Sequence, residues 1–289
     1  MPYVISNVLE RFDPDSSFVP VVFDSPHSGN VYPEDFAHSI ERIHLRRTED
    51  AFIDELFEDA PRHGATLLCA LFPRSYVDPN RSPDDIDPSM LQGAWPYRAN
   101  PGEKARLGIG LIPVKEPGGV VYDRALSVEE ACRRLDDYYW PYHRELEQVL
   151  DRAQQRAGSF WHVNCHSMPA LSTSVSPEGP GVPRPDFCLG TRDGTTCDSA
   201  FTELVERFLS NLGYSVTIDD PYKGAEIVRR YSDPMHGRHS LQIEINRRLY
   251  MDEASISRNE GYRALKADIG RLVETICDFA RARSGPRQL

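Results

Sequence analysis

Strand-like and helix-like segments alternate along the whole sequence, and this alternation restricts the fold more than any other feature. Runs rich in β-branched, aromatic and aliphatic residues lie at 18–24, 65–71, 160–164, 214–218 and 240–245. Helix signals fall between them. Thr48 is followed by Glu49 and Asp50, acidic groups suited to the positive end of a helix. Ser127 with Glu130, and Ser257 with Glu260, fit the S-x-x-E capping box. Asp198 can cap a helix that runs to Gly213, and Pro141 divides the pattern of 128–157 into a kinked helix or two successive ones. The last helix, about 257–283, sets Leu265, Ile269, Leu272 and Ile276 on one stripe. Such alternation predicts an α/β three-layer sandwich with a mostly parallel sheet and helices on both faces. No linker divides the 289 residues, so one domain over 1–289 is expected.

A net charge of −11 leaves no excess of Lys and Arg to displace counterions from phosphates, which argues against a nucleic-acid partner. An anionic small molecule is still compatible, since it needs only two or three local cations. The first residues carry neither a basic nor an apolar signal region, and no apolar run approaches the roughly 20 residues of a membrane span. Six scattered cysteines form no CxxC pair; Cys188 and Cys197 are near enough to bond, but a reduced, cytoplasmic state is expected.

Two of the strand-like runs end alike. The run at 18–24 leads into Ser25-Pro26-His27-Ser28-Gly29, and the run at 160–164 into Cys165-His166-Ser167. Ligands and metals collect at that edge of open α/β sheets, and a histidine on a rigid strand end is a well-oriented Zn²⁺ ligand. A catalytic zinc takes three protein ligands, so His27 and His166 need a third, with Asp50 and Glu49 as candidates. The plain alternative is a turn histidine, a satisfied core histidine and first-turn helix carboxylates. Glu244 sits among aliphatics in Leu241-Gln242-Ile243-Glu244-Ile245. It is either a surface carboxylate on the polar side of a strand or, facing a cleft, a general base with a raised pKa. Asn80-Arg81 follows the second strand closely, where Arg81 could grip a carboxylate through two donors or simply point outward from a turn. Arg124 and Lys223 are weaker candidates for anion contacts. Cys165 beside His166 suggests a cysteine nucleophile, but neighbours on a strand point to opposite faces and should not meet. The Pro- and Gly-rich stretches 79–119 and 168–186 are expected to wall the pocket.

These segments, taken in order, resemble the N-formylglutamate amidohydrolase family. The resemblance runs through Ser25-Pro26-His27-Ser28-Gly29, Asp50, Val77-Asp78-Pro79-Asn80-Arg81, Val121-Tyr122-Asp123-Arg124 and Pro141-Tyr142-His143. It continues through Asn164-Cys165-His166-Ser167, Asp186 to Thr191, Tyr222-Lys223-Gly224 and Gln242-Ile243-Glu244. It implies a fold similar to zinc carboxypeptidases and aspartoacylases, hence a mixed sheet. It also implies Zn²⁺ or another divalent ion on His27 and His166, Glu244 as the catalytic glutamate, and Asn80-Arg81 on a substrate carboxylate. Carboxypeptidase-type sites carry an acidic ligand three residues after the first histidine, where this chain has Asn30; Asp50 is therefore preferred over Glu49 as third ligand. The implied reaction is hydrolysis of a small N-acyl amino acid, foremost N-formyl-L-glutamate, with Lys223 or Arg124 meeting a second carboxylate. The rivals are a related deacylase or carboxypeptidase with another substrate, and a binding protein of the same fold.

Overall fold

The computed structural model describes residues 2–283 apart from 117, 174, 175 and 177. Among them, eight strands form the central sheet: β1 (Tyr3–Ile5), β2 (Leu9–Phe12), β3 (Val21–Ser25), β4 (Thr66–Ala70), β5 (Phe160–Met168), β6 (Phe187–Gly190), β7 (Val216–Ile218) and β8 (Arg238–Asn246). Their spatial order is β1-β2-β4-β3-β5-β8-β6-β7. The central strands β4, β3, β5 and β8 are parallel, while β1–β2, β2–β4 and β8–β6 are antiparallel, so the sheet is mixed.

Helices α1 (Val128–Arg134), α2 (Trp140–Ala157) and α4 (Glu226–Tyr231) belong to one side, α3 (Ser199–Asn211) and α5 (Tyr262–Arg283) to the other. The α3/α5 layer packs on Trp161, Val163, Cys165, Leu241, Ile243 and Ile245, which are alternate residues of β5 and β8. Each such buried side chain contributes roughly 1.5–3 kcal/mol of apolar burial. The other alternates, His162, Asn164, His166, Ser240, Gln242 and Glu244, are also buried, beneath the α2 side. Polar groups there must be paired, because an unpaired one costs about 1–3 kcal/mol. Among the described residues, no helix is long and apolar enough to cross a membrane.

Several local expectations hold. The capping box at Ser127 and Glu130 forms, the Asp198 side chain accepts from the Ala200 amide, and a π turn at Leu135–Tyr139 joins two successive helices ahead of Pro141. Leu265, Ile269, Leu272 and Ile276 are all buried. Others change. No helix opens at Thr48: short helices Arg42–Arg46 and Ile53–Leu56 flank it, Thr48 Oγ1 bonds back to Leu45 O, and the Asp50 amide donates to His27 O. Tertiary pairing has displaced the local helix signal. Ser257 lies in a short strand with Arg258, and the final helix starts at Tyr262 after Asn259 accepts from the Gly261 amide. Strand β5 continues past 164 to Met168 because β8 pairs with it through Asn246, so His166 lies inside the strand.

Candidate active site

The C-terminal ends of β3, β5 and β8 lie side by side. After β3 the chain passes so close to the next segment that a Cβ on Gly29 would lie 2.3 Å from Phe72 O. Only glycine permits that approach, which fixes how His27 leaves the strand. Ser25 and Ser28 brace the turn, their hydroxyls paired and Ser28 Oγ accepting from the Asp54 amide. Asp50 arrives from the crossover, followed by Phe52 in a left-handed conformation (φ 68°) that non-glycine residues rarely adopt.

Asp50 Oδ2 lies 3.0 Å from His166 Nδ1 and 3.4 Å from His27 Nδ1. All three residues are at most 2% exposed, and one potential ligand atom from each falls within 4.8 Å of the others. The far sides of the rings are committed. His27 Nε2 is 2.7 Å from Asp78 Oδ1; a carboxylate only accepts, so Nε2 carries the proton. His166 Nε2 is 2.7 Å from Asn164 Oδ1. Both Nδ1 atoms thus turn toward Asp50, and buried His27 Nδ1 has no hydrogen-bond partner. The other Asp50 oxygen accepts from Ser167 Oγ and Arg247 Nη2, at 3.0 and 3.1 Å. Two ring nitrogens and one anionic oxygen converge on a common point, where a proton on an Nδ1 or a cation must lie between them. This donor set could hold Zn²⁺, and Asp78 and Asn164 would then supply the outer hydrogen bonds that orient the imidazoles.

Electrostatics sharpen the picture. Burial alone would raise the Asp50 carboxyl, but His166, within hydrogen-bond distance, and the adjacent His27 ring hold it well below the usual carboxylate range. Asp78, also buried, is held low by Arg74 and His27. Glu244 stands opposite His166 in the β5–β8 ladder and accepts from Gln242 Nε2 at 2.8 Å. Burial and then the negative field of Asp50 push Glu244 up to about 8. A carboxyl so tuned, beside the His27–Asp50–His166 cluster, is equipped to exchange protons near neutral pH.

Other residues named from sequence settle differently. Glu49 turns away, accepting from Tyr32 OH and Arg46, so Asp50 is the carboxylate of the cluster. Asn80 is buried beside His166: its Oδ1 accepts from the Ile227 amide and its Nδ2 lies 3.0 Å from His166 Nε2. Arg81 is half-buried; its guanidinium forms no hydrogen bond or ion pair among the described residues, and its Nε is enclosed without a partner. Arg124, 41% exposed along its side chain, donates through both terminal nitrogens to Glu130; Lys223, 59% exposed, pairs with Asp193. Each of the two is thus already paired with a carboxylate, Glu130 and Asp193 respectively. Cys165 faces the opposite side of the sheet from His166, and all six cysteines are free thiols.

Sequence reasoning missed Arg74 and Arg247. Arg74 donates to Asp78 Oδ2 at 2.7 Å, and its charge acts on Asp50, His166 and Glu244. Arg247 reaches Ser167, Asp50 and the backbone carbonyls of Arg47 and Glu49. Arg247 has one readable signal, its place directly after the Glu244 strand; Arg74 has none.

Residues 19–251 match the model of the N-formylglutamate amidohydrolase family. The N-formylglutamate deformylase of Pseudomonas aeruginosa is 30% identical over 271 residues, covering 92% of this chain and 95% of that one. The crystal structure of N-formylglutamate amidohydrolase from Ralstonia eutropha JMP134 has a TM-score of 0.90 and 45% identity, covering 96% of this chain and 99% of that one. A protein from Agrobacterium tumefaciens, 17% identical, shares the fold at a TM-score of 0.61 over 96% of each chain. The chain therefore belongs to the N-formylglutamate amidohydrolase family, and it is an amidase-type hydrolase.

Proposed function

We propose that this enzyme hydrolyses N-formyl-L-glutamate to formate and L-glutamate and depends on a divalent metal, foremost Zn²⁺, held by His27, Asp50 and His166. The observation that supports the metal reading is the convergence of two imidazole Nδ1 atoms and Asp50 Oδ2, with buried His27 Nδ1 left unpartnered. The substrate reading draws on the named relatives from Pseudomonas and Ralstonia. When bound, Zn²⁺ polarises a carbonyl and makes water more acidic.

The residues supply the rest. Glu244 takes a proton from the attacking water as its oxygen adds to the formyl carbon, then passes it to the nitrogen as the C–N bond breaks. Arg74, fixed by Asp78, is the cation best placed to meet negative charge developing on the formyl oxygen. Arg81 takes one substrate carboxylate through donors that have no other partner. Lys104, half-buried and without a hydrogen bond or ion pair among the described residues, is better placed for the second carboxylate than Arg124 or Lys223. Its ammonium is held low by burial and then by the charge of Arg81 and Arg74, a deficit that an incoming anion would relieve.

The test is metal analysis of purified protein followed by formate release from N-formyl-L-glutamate, N-formyl-L-aspartate and N-acetyl-L-glutamate. Stoichiometric metal, loss of turnover on chelation and return with Zn²⁺ are expected, with N-formyl-L-glutamate preferred. Full turnover in exhaustively chelated protein would sink the metal reading, and preference for another acyl amino acid would sink the substrate reading.

A further inference from the structure

Behind His166, on the same face of the sheet, lies a buried polar layer that meets the candidate substrate groups only where Asn164 approaches Asn80. Asp24 and Asn164 are neighbours in the β3–β5 register, and Asp24, His162, Asn164 and Ser240 are all 0% exposed. Asp24 Oδ1 lies 2.7 Å from Asn164 Nδ2 and 2.9 Å from His162 Nε2, while Oδ2 accepts from Tyr142 OH at 2.7 Å. His162 Nδ1 meets Ser240 Oγ at 2.7 Å.

We propose that Asp24 is a positioning residue that acts through Asn164 to hold His166 with its proton on Nε2 and its Nδ1 lone pair aimed at the cation site. An amide side chain has an accepting and a donating end, and nothing intrinsic to Asn164 decides which faces His166. Asp24 decides it: a carboxylate can only accept, so the NH₂ of Asn164 must face Asp24 and its Oδ1 must face His166 Nε2. An oxygen there accepts only from a protonated Nε2, which in neutral imidazole leaves Nδ1 free for a cation, in place of the proton that would otherwise bridge it to Asp50 Oδ2 at 3.0 Å. Asn80 Nδ2 also lies 3.0 Å from His166 Nε2, but Asn164 Oδ1 is nearer that nitrogen at 2.7 Å and tolerates only a protonated one; the Asn80 NH₂, whose Oδ1 is held by the Ile227 amide, then donates to the same Asn164 oxygen from 3.4 Å. The inference rests on the metal reading proposed above.

The test is a double-mutant cycle in Zn²⁺ affinity, measured by competition with a chelating dye. Asn164→Ala should weaken binding by about 10- to 100-fold, the usual scale for an outer hydrogen bond to a ligating histidine. Asp24→Ala should weaken it comparably, and the double variant no further than Asn164→Ala alone. Asp24→Asn should restore affinity, because its amide oxygen can face Asn164 while its NH₂ meets the Tyr142 oxygen. Tyr142→Phe, which removes a donor from the other Asp24 oxygen, should leave affinity unchanged. Wild-type affinity in Asp24→Ala, or additive losses in the double variant, overturns the proposal while leaving the metal reading intact. A wild-type protein that binds no Zn²⁺ ends both. Should Asp24→Ala not fold, ¹H–¹⁵N correlation of the Zn²⁺-loaded wild type decides: His166 is expected to bind through Nδ1 with its proton on Nε2, and binding through Nε2 overturns the assignment.

Discussion

Glu244 and His166 occupy the same register position on adjacent parallel strands, with side chains on one face of the sheet. A strand end leaves a side chain few rotamers, so the carboxylate is held beside the cluster before any substrate arrives. Its neighbour Gln242 donates to it while Asp50 repels its charge. Glu244→Gln preserves shape and removes the exchangeable proton. We expect kcat to fall by at least about a hundredfold with metal content unchanged, the usual scale for losing general acid–base help. A variant keeping more than a tenth of wild-type kcat would make Glu244 a structural carboxylate, and loss of the metal would make it a ligand.

Asp78 links two charged groups through its two oxygens, His27 on one side and Arg74 on the other. Asp78→Ala should therefore loosen metal binding and misplace Arg74 together. Zn²⁺ affinity is expected to drop by about 10- to 100-fold. At saturating Zn²⁺, kcat should remain depressed, because Arg74 has lost its anchor. Recovery of full kcat at high Zn²⁺ would show that Asp78 serves His27 alone.

The strand-borne part of the candidate site was legible because strand periodicity reports it: β5 and β8 alternate apolar and polar residues, and the polar set contains His166 and Glu244. Alternation usually marks a solvated face. Here both faces are covered, so the polar set became the site and its supports. The contacts that complete it are not local. Asp78 joins His27 from 51 residues away, Asn164 joins Asp24 from 140, and Arg247 joins Asp50 from 197. No pattern along the chain encodes such pairs. The helix expected at Thr48 failed for the same reason, since the Asp50 amide is claimed by His27 O. The short strands β1, β2 and β6 gave too few residues for a period to show.

Glu116, on the short strand Lys115–Glu116, is pushed up to about 8 by burial, against the opposing pull of Arg74. The folded protein thus holds a proton that the unfolded chain releases near pH 4.5. Wild type should lose stability as pH rises from about 4.5 through about 8 on account of this group. Glu116→Gln removes that penalty. At pH 8 the variant should be more stable by about 1 kcal/mol or more, one pKa unit being about 1.4 kcal/mol before discounting for residual exposure. Below pH 4 the two should converge. Denaturant melts at both pH values check this, and an advantage independent of pH would assign the gain to packing.

Arg81 combines an enclosed, unpartnered Nε with a backbone fixed by Tyr139, whose hydroxyl donates to Arg81 O at 2.9 Å. The guanidinium is positioned before it has anything to bind. If it clamps a substrate carboxylate, Arg81→Lys should be costly, because an ammonium cannot reproduce the planar pair of donors. A charge-assisted hydrogen bond contributes about 1.5–3 kcal/mol, so losing one should lower kcat/KM by about ten- to a hundredfold. The loss should be larger for N-formyl-L-glutamate than for the same compound with its carboxylates amidated, where the clamp has nothing to grip. Equal losses on both compounds, or none, would assign Arg81 to support of the 78–81 turn, and the substrate carboxylate would need another partner, with Lys104 next to be tested.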